Sequence, residues 1–223
     1  MAYLKALYSL EEESVVDRDA EGGTARRIST TAIAARLEVS APSATNMLKR
    51  LAARDLVTYA PYKGASLTDR GREFALELVR HHRLLETYLV QALGVPWDEA
   101  HFEAELLEAD LSETLEERIA ATLGNPRVDP HGHPIPAKNG AMPKSSRQSL
   151  WDVADGRSAR VEQVPDSHPG ALRYLAEVSV LPGVKVTVID RGPIGGPLFV
   201  RVNDNEGAPV ALSKEVAEAI WIR

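Results

Sequence analysis

The sequence contains no cysteine, so disulfide bonds are excluded and any metal site must use imidazole and carboxylate ligands. It also lacks an apolar run approaching about 20 residues, and we therefore expect no transmembrane helix. Its first residues lack the basic and apolar regions of a signal peptide, so a cytoplasmic protein is expected. The 223 residues that are present suit one large domain or two to three small ones.

Charge is distributed unevenly along the chain, although the net charge is only −6. Residues 25–72 contain nine Lys or Arg residues against three acidic residues, whereas residues 74–140 contain five against twelve. All six histidines lie outside the basic segment. Because phosphate binding needs positive charge and divalent cations need acidic ligands, this pattern predicts a nucleic-acid-binding segment followed by a metal-binding segment.

The first third of the chain predicts a winged helix-turn-helix. Helices are expected over residues 3–13 and after Ser29 and Ser40, since serine is a favoured N-cap residue. Residues 56–67 have the pattern of a β-hairpin, and a long helix is expected directly after them. Helix, turn, helix and hairpin is the element order of winged helix-turn-helix domains.

The helix that begins after Ser40 is the candidate recognition helix. Small polar residues at its N-terminal end can reach base edges, while its later basic residues and the turn of the hairpin suit phosphates. Such patterns also occur by chance in helical proteins, but the hairpin and the local positive charge favour DNA binding. The predicted DNA-binding residues are Ser40, Pro42, Ser43, Thr45, Asn46, Lys49, Arg50, Tyr62 and Lys63.

Two predicted helices in the acidic segment carry histidine together with glutamate. His82 and Glu86 are four residues apart and share a helical face, and His101, Glu105 and Glu108 share a face of the next helix. Two such faces could together hold a divalent cation in a mixed nitrogen and oxygen shell. The alternative is that they are solvated charges on surface helices.

The segment after these helices contains capping and linker signals. Asp110 and Glu113 have the spacing of a capping box at the start of a third helix. Residues 124–149 are rich in Pro, Gly and Ser and are interpreted as a linker. Its Asp129 and neighbouring histidines could bind a metal, although histidine in loops is commonly unbound.

After residue 149 the pattern changes from helical to β. Apolar residues alternate or run together between Gly, Pro and Asp turns, and one helix is expected near residues 170–178. This pattern predicts a small β-barrel. The predicted strands are residues 160–164, 185–189, 198–202 and 208–212.

In their order along the chain, these features resemble the diphtheria toxin repressor family, and within it the manganese transport regulators. The resemblance rests on His82-Arg83-Leu84-Leu85-Glu86, on His101 with Glu105 and Glu108, and on His131-Gly132-His133-Pro134-Ile135-Pro136. It implies a mainly α protein with a small β-barrel. The implied domains are a winged helix-turn-helix at 1–73, a helical metal-binding and dimerisation domain at 74–140, a linker at 141–149 and an SH3-like (FeoA-like) domain at 150–223.

The resemblance implies a homodimer that binds palindromic operator DNA when it is loaded with Mn(II) or Fe(II). The protein would then be a transcriptional regulator of metal-ion homeostasis genes, expected to repress them, and not an enzyme. Glu105 stands where iron-responsive members carry Cys, and a carboxylate there favours Mn(II). An Fe(II) regulator and a His/Glu metalloenzyme are the alternatives, but no nucleophile–base pair and no His-Glu-x-x-His motif supports the enzyme.

The resemblance also implies roles for individual residues. His82, Glu86 and His101 match the family's ancillary metal site, while Glu105 and Glu108 match ligands of its primary site. Two departures weaken the primary site: Ala2 and Ala109 stand where the family usually has Met or Asp and His ligands.

In the streptococcal manganese type, a second site combines the Glu86 position with two linker residues and one barrel residue. Asp129 and His131 match the linker positions, and Asp166 or His168 would supply the barrel ligand. We therefore expect the Glu86 face to be the tighter of the two metal sites, because it retains its helical ligands and can recruit these residues.

Overall fold

A computed structural model describes residues 2–16, 27–143, 148–166, 168–203 and 207–223. The chain divides into two compact units. The first contains Met1–Arg80 and Pro136–Ala141, and the second contains His81–Ile135 and Met142–Arg223. Among the described residues, no helix has both the length and the apolar character needed to cross a membrane.

The first unit opens with three helices, α1 (Ala2–Val16), α2 (Thr30–Arg36) and α3 (Ala41–Ala52). The N-caps predicted for α2 and α3 are confirmed. The hydroxyl oxygens of Ser29 and Ser40 accept backbone N–H groups of the first turn of each helix. Each cap satisfies an amide that the helix itself leaves unpaired, so the sequence determines where both helices begin.

A β-hairpin follows, formed by β1 (Val57–Ala60) and β2 (Gly64–Leu67), and α4 (Asp69–Leu93) begins directly after it. Ala65 of β2 also exchanges two backbone hydrogen bonds with Ile28, at 2.7 and 2.8 Å. The element order is that of the predicted winged helix-turn-helix. Its core contains Leu4, Leu7, Ile33, Leu48, Val57 and Val79.

The second unit contains the remainder of α4 and two further helices, α5 (Ala100–Leu107) and α6 (Glu113–Thr122). A 3₁₀ turn at Glu108–Asp110 separates them. The predicted capping box at Asp110 is wrong, because Ser112 is the N-cap of α6 and accepts an N–H group of its first turn. Asp110 ends the 3₁₀ turn two residues earlier and is therefore too far from α6 to cap it.

The rest of the second unit is a six-stranded antiparallel sheet with two short helices. The order of the strands across the sheet is β3-β8-β4-β5-β6-β7. The elements are β3 (Gln148–Ser149), β4 (Ser158–Gln163), α7 (Pro169–Glu177), β5 (Lys185–Arg191), β6 (Leu198–Val202), β7 (Val210–Leu212), α8 (Lys214–Ala219) and β8 (Trp221–Ile222).

The predicted closed β-barrel is wrong, because the sheet formed by the described strands is open. Its edges are β3 and β7, which are only two and three residues long. Leu172 and Leu175 of α7 and Ala217 of α8 are fully buried in the core of the sheet. Helices therefore cover apolar side chains of the sheet where a barrel would use paired strands.

A loop between α6 and β3 packs against the end of β4. The N–H of Val164 donates to the carbonyl oxygen of His131 at 3.0 Å. The next residue of the loop, Gly132, has no room for a side chain, because a Cβ there would lie 1.9 Å from the carbonyl oxygen of Glu162. Gly132 also has a φ of +90°, which residues with a side chain rarely adopt.

Gly132→Ala should therefore destabilise the protein more than a glycine substitution that brings backbone strain alone. Gly183 is a matched control, because its φ is +89° and no described atom lies within 4 Å of the position that a Cβ would occupy. We expect Gly132→Ala to lower the free energy of unfolding by about 1–3 kcal/mol more than Gly183→Ala, the usual cost of overpacking. Urea unfolding followed by circular dichroism measures the difference, and equal losses would contradict this account of the loop.

Candidate metal centre and nucleic-acid interface

The first group of candidate ligands lies between α4 and α5. His82 and Glu86 are one turn apart on α4, and His101 is in the first turn of α5. Glu86 Oε1 is 3.0 Å from His82 Nε2 and 2.9 Å from His101 Nδ1, and these two nitrogens are 3.1 Å apart. The structure thus brings the three side chains together, with one ligand atom of each facing a common point.

A second group lies in the loop that packs on β4. Asp129, His131 and His133 each direct one ligand atom to a common region. Asp129 Oδ2 and Asp166 Oδ2 are 3.4 and 3.6 Å from His133 Nδ1. His131 Nδ1 is 3.9 Å from Glu86 Oε2, so Glu86 faces the first group with one oxygen and the second group with the other.

Four buried ligand atoms have no hydrogen-bond partner within the described parts of the chain. They are Glu86 Oε2, Asp129 Oδ2, His131 Nδ1 and His133 Nδ1. Leaving one such polar atom buried and unpaired costs about 1–3 kcal/mol, so four neighbouring ones call for a common partner. Because two belong to carboxylates and two to imidazoles, the residues fit a divalent metal ion in a mixed nitrogen and oxygen shell.

In His82 and His131, the ring nitrogen that faces away from Glu86 is held by a hydrogen bond. His82 Nδ1 lies 2.7 Å from Glu108 Oε2, and His131 Nε2 lies 3.0 Å from the carbonyl oxygen of Trp97. Since a carbonyl oxygen can only accept, His131 Nε2 carries the proton and its Nδ1 is free to bind a metal, whereas His82 has a carboxylate at each ring nitrogen. The opposite nitrogens, His82 Nε2 and His131 Nδ1, are thereby directed toward Glu86, as is typical of imidazoles that bind metals.

The electrostatics of both groups favour positive charge. Burial by itself raises the pKa of Glu86, but hydrogen bonds from histidine, that of His101 foremost, lower this pKa well below its ordinary value. Burial likewise raises the pKa of Asp166, yet the neighbouring His133 lowers it overall. Burial lowers the pKa of His133, but Asp166 and Asp129 raise it above its ordinary value. The carboxylates of Glu86 and Asp166 are therefore ionised at neutral pH and attract a cation.

The other predicted ligands are placed differently. Glu105 and Glu108 are not brought together, because Glu105 is exposed whereas Glu108 is buried against His82. Of the two candidates after β4, Asp166 faces the loop group, while His168 is exposed at the start of α7. Of these two residues, the structure thus brings Asp166 close to the second group.

His133 belongs to the second group of candidate ligands, although the predicted ligand set does not contain it. Its side chain is 17% exposed and its Nδ1 points between two carboxylates. The available signal was the spacing Asp129-x-His131-x-His133 around a glycine. Histidine in a loop gave no reason to rank it above a solvated residue, because the loop's packing on β4 is a tertiary feature.

The predicted DNA-binding residues lie on the first unit. Ala44, Leu48 and Leu51 bury one face of α3, and the opposite face carries the polar and basic residues. Tyr62 is fully exposed at the turn of the hairpin, beside the exposed Lys63. Ser40 uses its hydroxyl to cap the helix, and Thr45 is half-buried. The remaining exposed residues are Pro42, Ser43, Asn46, Lys49 and Arg50.

A winged helix-turn-helix and a buried His/carboxylate cluster on one chain define the class of metal-dependent DNA-binding regulators. Three domain profiles match the chain: the iron dependent repressor N-terminal DNA binding domain at 2–65, the iron dependent repressor metal binding and dimerisation domain at 68–137, and the FeoA domain at 148–223. The chain belongs to the diphtheria toxin repressor family of metal-dependent transcriptional repressors. The metalloenzyme alternative is set aside, because members of this family repress transcription and are not enzymes.

Known members of the family resemble the chain over most of its length. The iron-dependent repressor IdeR of Mycobacterium leprae is 31% identical, with 99% of this chain and 94% of the relative covered. The diphtheria toxin repressor of Corynebacterium diphtheriae is 33% identical over 85% of this chain and 83% of the relative. A manganese-dependent transcriptional repressor in complex with manganese has a TM-score of 0.85 and 38% identity, over 100% of this chain and 99% of that one.

Glu108→Ala should weaken metal binding through His82. Because Glu108 holds the His82 imidazole in its orientation, we expect its loss to lower metal affinity about 10–100-fold, as for other groups that orient metal ligands. The matched control is Glu103→Ala, which removes an exposed glutamate of α5. Calorimetric titration with Mn(II) measures both affinities. An equal loss for Glu103→Ala would contradict the role given to Glu108.

Proposed function

We propose that this chain is a Mn(II)-dependent repressor of metal-ion homeostasis genes. The observation that carries the proposal is the buried cluster around Glu86, which combines carboxylates with imidazoles and contains no sulfur. Carboxylate-rich sites suit Mn(II), whereas thiolates select softer ions. Fe(II) is the second candidate, because imidazole also suits iron and one relative is an iron-dependent repressor.

The proposed metal ligands form two sets that share Glu86. The first set is completed by His82 and His101, and the second by Asp129 and His131. Asp166 adds a carboxylate to the second set from the chain that follows β4. A bound metal would offset the negative charge of these carboxylates. Residues of α4, α5 and the linker loop would hold it.

We propose that metal binding is linked to DNA binding through α4. This helix begins at Asp69, two residues after the hairpin ends at Leu67, and it also carries His82 and Glu86. A metal that holds His82 and Glu86 would therefore restrain the same helix that directly follows the wing. Such a regulator acts on chromosomal DNA, which supports the expectation of a cytoplasmic location.

We further propose that the protein acts as a homodimer. The helices of the second unit expose several large apolar side chains, which are Leu93, Phe102, Leu106, Leu107 and Leu115. A second copy of the chain would cover them, and the matched profile over residues 68–137 describes a dimerisation domain. A palindromic operator requires a reader with the same two-fold symmetry.

Asn46→Ala and Lys63→Ala should weaken DNA binding in different ways. Asn46 lies on the exposed face of α3, and its loss should cost about 1–3 kcal/mol at the cognate site and relax sequence preference there. Lys63 lies on the wing, and its loss should weaken binding to every sequence and reduce the salt slope by about 1. Fluorescence anisotropy over a salt series measures both effects.

The control for this experiment is Lys214→Ala, which removes an exposed lysine from α8 in the second unit. It should leave both the salt slope and the sequence preference unchanged. If Lys63→Ala kept the salt slope while Asn46→Ala kept the sequence preference, α3 and the wing would not be the DNA-binding elements.

The metal dependence itself is tested with Glu86 variants. DNA duplexes selected from a random pool with Mn(II) present serve as the operator, and their binding is titrated with Mn(II), with Fe(II) and with neither. We expect metal to strengthen binding by the wild type, and Glu86→Ala and the isosteric Glu86→Gln to abolish this gain. Glu77→Ala, which removes an exposed glutamate from the same helix, should retain it.

Selection of no duplex, or equal binding with and without metal, would refute the proposed function. A gain with Fe(II) that exceeds the gain with Mn(II) at equal concentrations would replace manganese by iron. A Glu86→Ala variant with unchanged metal stoichiometry and affinity would show that the sensor site lies elsewhere.

A further inference from the structure

The imidazole of His133 lies between two carboxylates. Its Nδ1 is 3.4 Å from Asp129 Oδ2 and 3.6 Å from Asp166 Oδ2, and it has no hydrogen-bond partner among the described residues. Both distances exceed those of an N–H···O hydrogen bond, which are about 2.7–3.2 Å. They do fit three atoms arranged around one ion, because ligands about 2.0–2.2 Å from a metal are separated by about 2.8 Å at 90° and by up to about 3.6 Å at the tetrahedral angle.

The loop backbone fixes this orientation. Asp129 Oδ1 accepts the N–H groups of both His131 and His133, each at 2.9 Å, and the N–H of Asp129 donates to the carbonyl oxygen of His133 at 3.0 Å. Gly132 turns the chain between the two histidines. One carboxylate oxygen therefore closes the loop, while the other faces both imidazoles and lies 3.8 Å from Arg83 Nε.

Resting on the proposed function, we propose that His133 is itself a metal ligand and that it determines which divalent ions the second set accepts. With His133 the second set contains two imidazoles, from His131 and His133, besides the carboxylates of Glu86, Asp129 and Asp166. Without it, the same set would contain one imidazole among three carboxylates.

The added imidazole changes metal preference in a defined direction. Affinity of nitrogen-containing sites rises from Mn(II) through Fe(II) to Co(II), whereas oxygen-rich sites accept Mn(II) readily. His133 should therefore raise the affinity for Co(II) and Fe(II) more than that for Mn(II). Its removal should leave a site of lower affinity that is relatively more selective for Mn(II).

The test uses the full chain and two substitutions, His133→Ala and His133→Asn, with His168→Ala as the matched control. His168 is an exposed histidine two residues after Asp166. Calorimetric titrations with Mn(II) and with Co(II) give affinity and stoichiometry. X-ray absorption of the Co(II) form counts the imidazoles bound to the metal. Circular dichroism of each variant without added metal establishes that it is folded.

We expect both His133 variants to lose more than about tenfold in Co(II) affinity, with a smaller loss for Mn(II), and to show one bound imidazole fewer than the wild type. His168→Ala should match the wild type in each measurement. Unchanged imidazole count and affinity in folded His133 variants would overturn the proposal, as would an affinity loss without loss of a bound imidazole, since His133 would then only position Asp129 and Asp166.

Failure of this inference can be separated from failure of the proposed function by including Glu86→Gln in the same titrations. If Glu86→Gln loses metal while the His133 variants do not, only the role of His133 is refuted. If neither substitution changes metal binding, the cluster is not the metal site and both proposals fail.

Discussion

A single buried carboxylate, Glu86, is the constraint around which the two groups of candidate ligands are arranged. An ionised carboxylate that is removed from water is strongly destabilising unless hydrogen-bond donors or a cation compensate it. Glu86 is fully buried, and its pKa is nevertheless held well below the ordinary value by hydrogen bonds from histidine. The loop from Asp129 to His133 and the histidines of α4 and α5 lie where they can provide that compensation.

The surrounding residues restrict the ways in which these groups can compensate Glu86. Glu108 and the carbonyl oxygen of Trp97 each contact the far ring nitrogen of His82 and of His131, and two backbone amides occupy Asp129 Oδ1. The ligand atoms of His82, His131 and Asp129 are therefore each oriented by a hydrogen bond on the far side of the side chain. Orienting ligands in advance reduces the conformational entropy that is lost on metal binding.

The sequence predicted those parts of the structure that depend on local spacing. The caps at Ser29 and Ser40 and the shared face of His82 and Glu86 follow from helix geometry alone. The sequence did not predict that Glu108 pairs with His82, because α5 changes to a 3₁₀ turn at that residue. The open sheet was also missed, since edge strands of two and three residues are too short to show an alternating pattern.

The two oxygens of Glu86 differ in how readily their neighbours can bind a cation. On the Oε1 side, His82 and His101 already contact Glu86 at 3.0 and 2.9 Å, so they must give up these interactions to become ligands. On the Oε2 side, His131 Nδ1 and the carboxylate oxygen itself lie 3.9 Å apart and have no hydrogen-bond partner among the described residues, so they break no hydrogen bond to bind a cation. The same helix thus carries one ligand set that is satisfied internally and borders another that is not.

Because bound ligands are linked reciprocally, a regulator of this kind gains as much metal affinity from its operator as it gains operator affinity from the metal. We expect the internally satisfied set to bind metal more weakly than the other, because it must first break its contacts with Glu86.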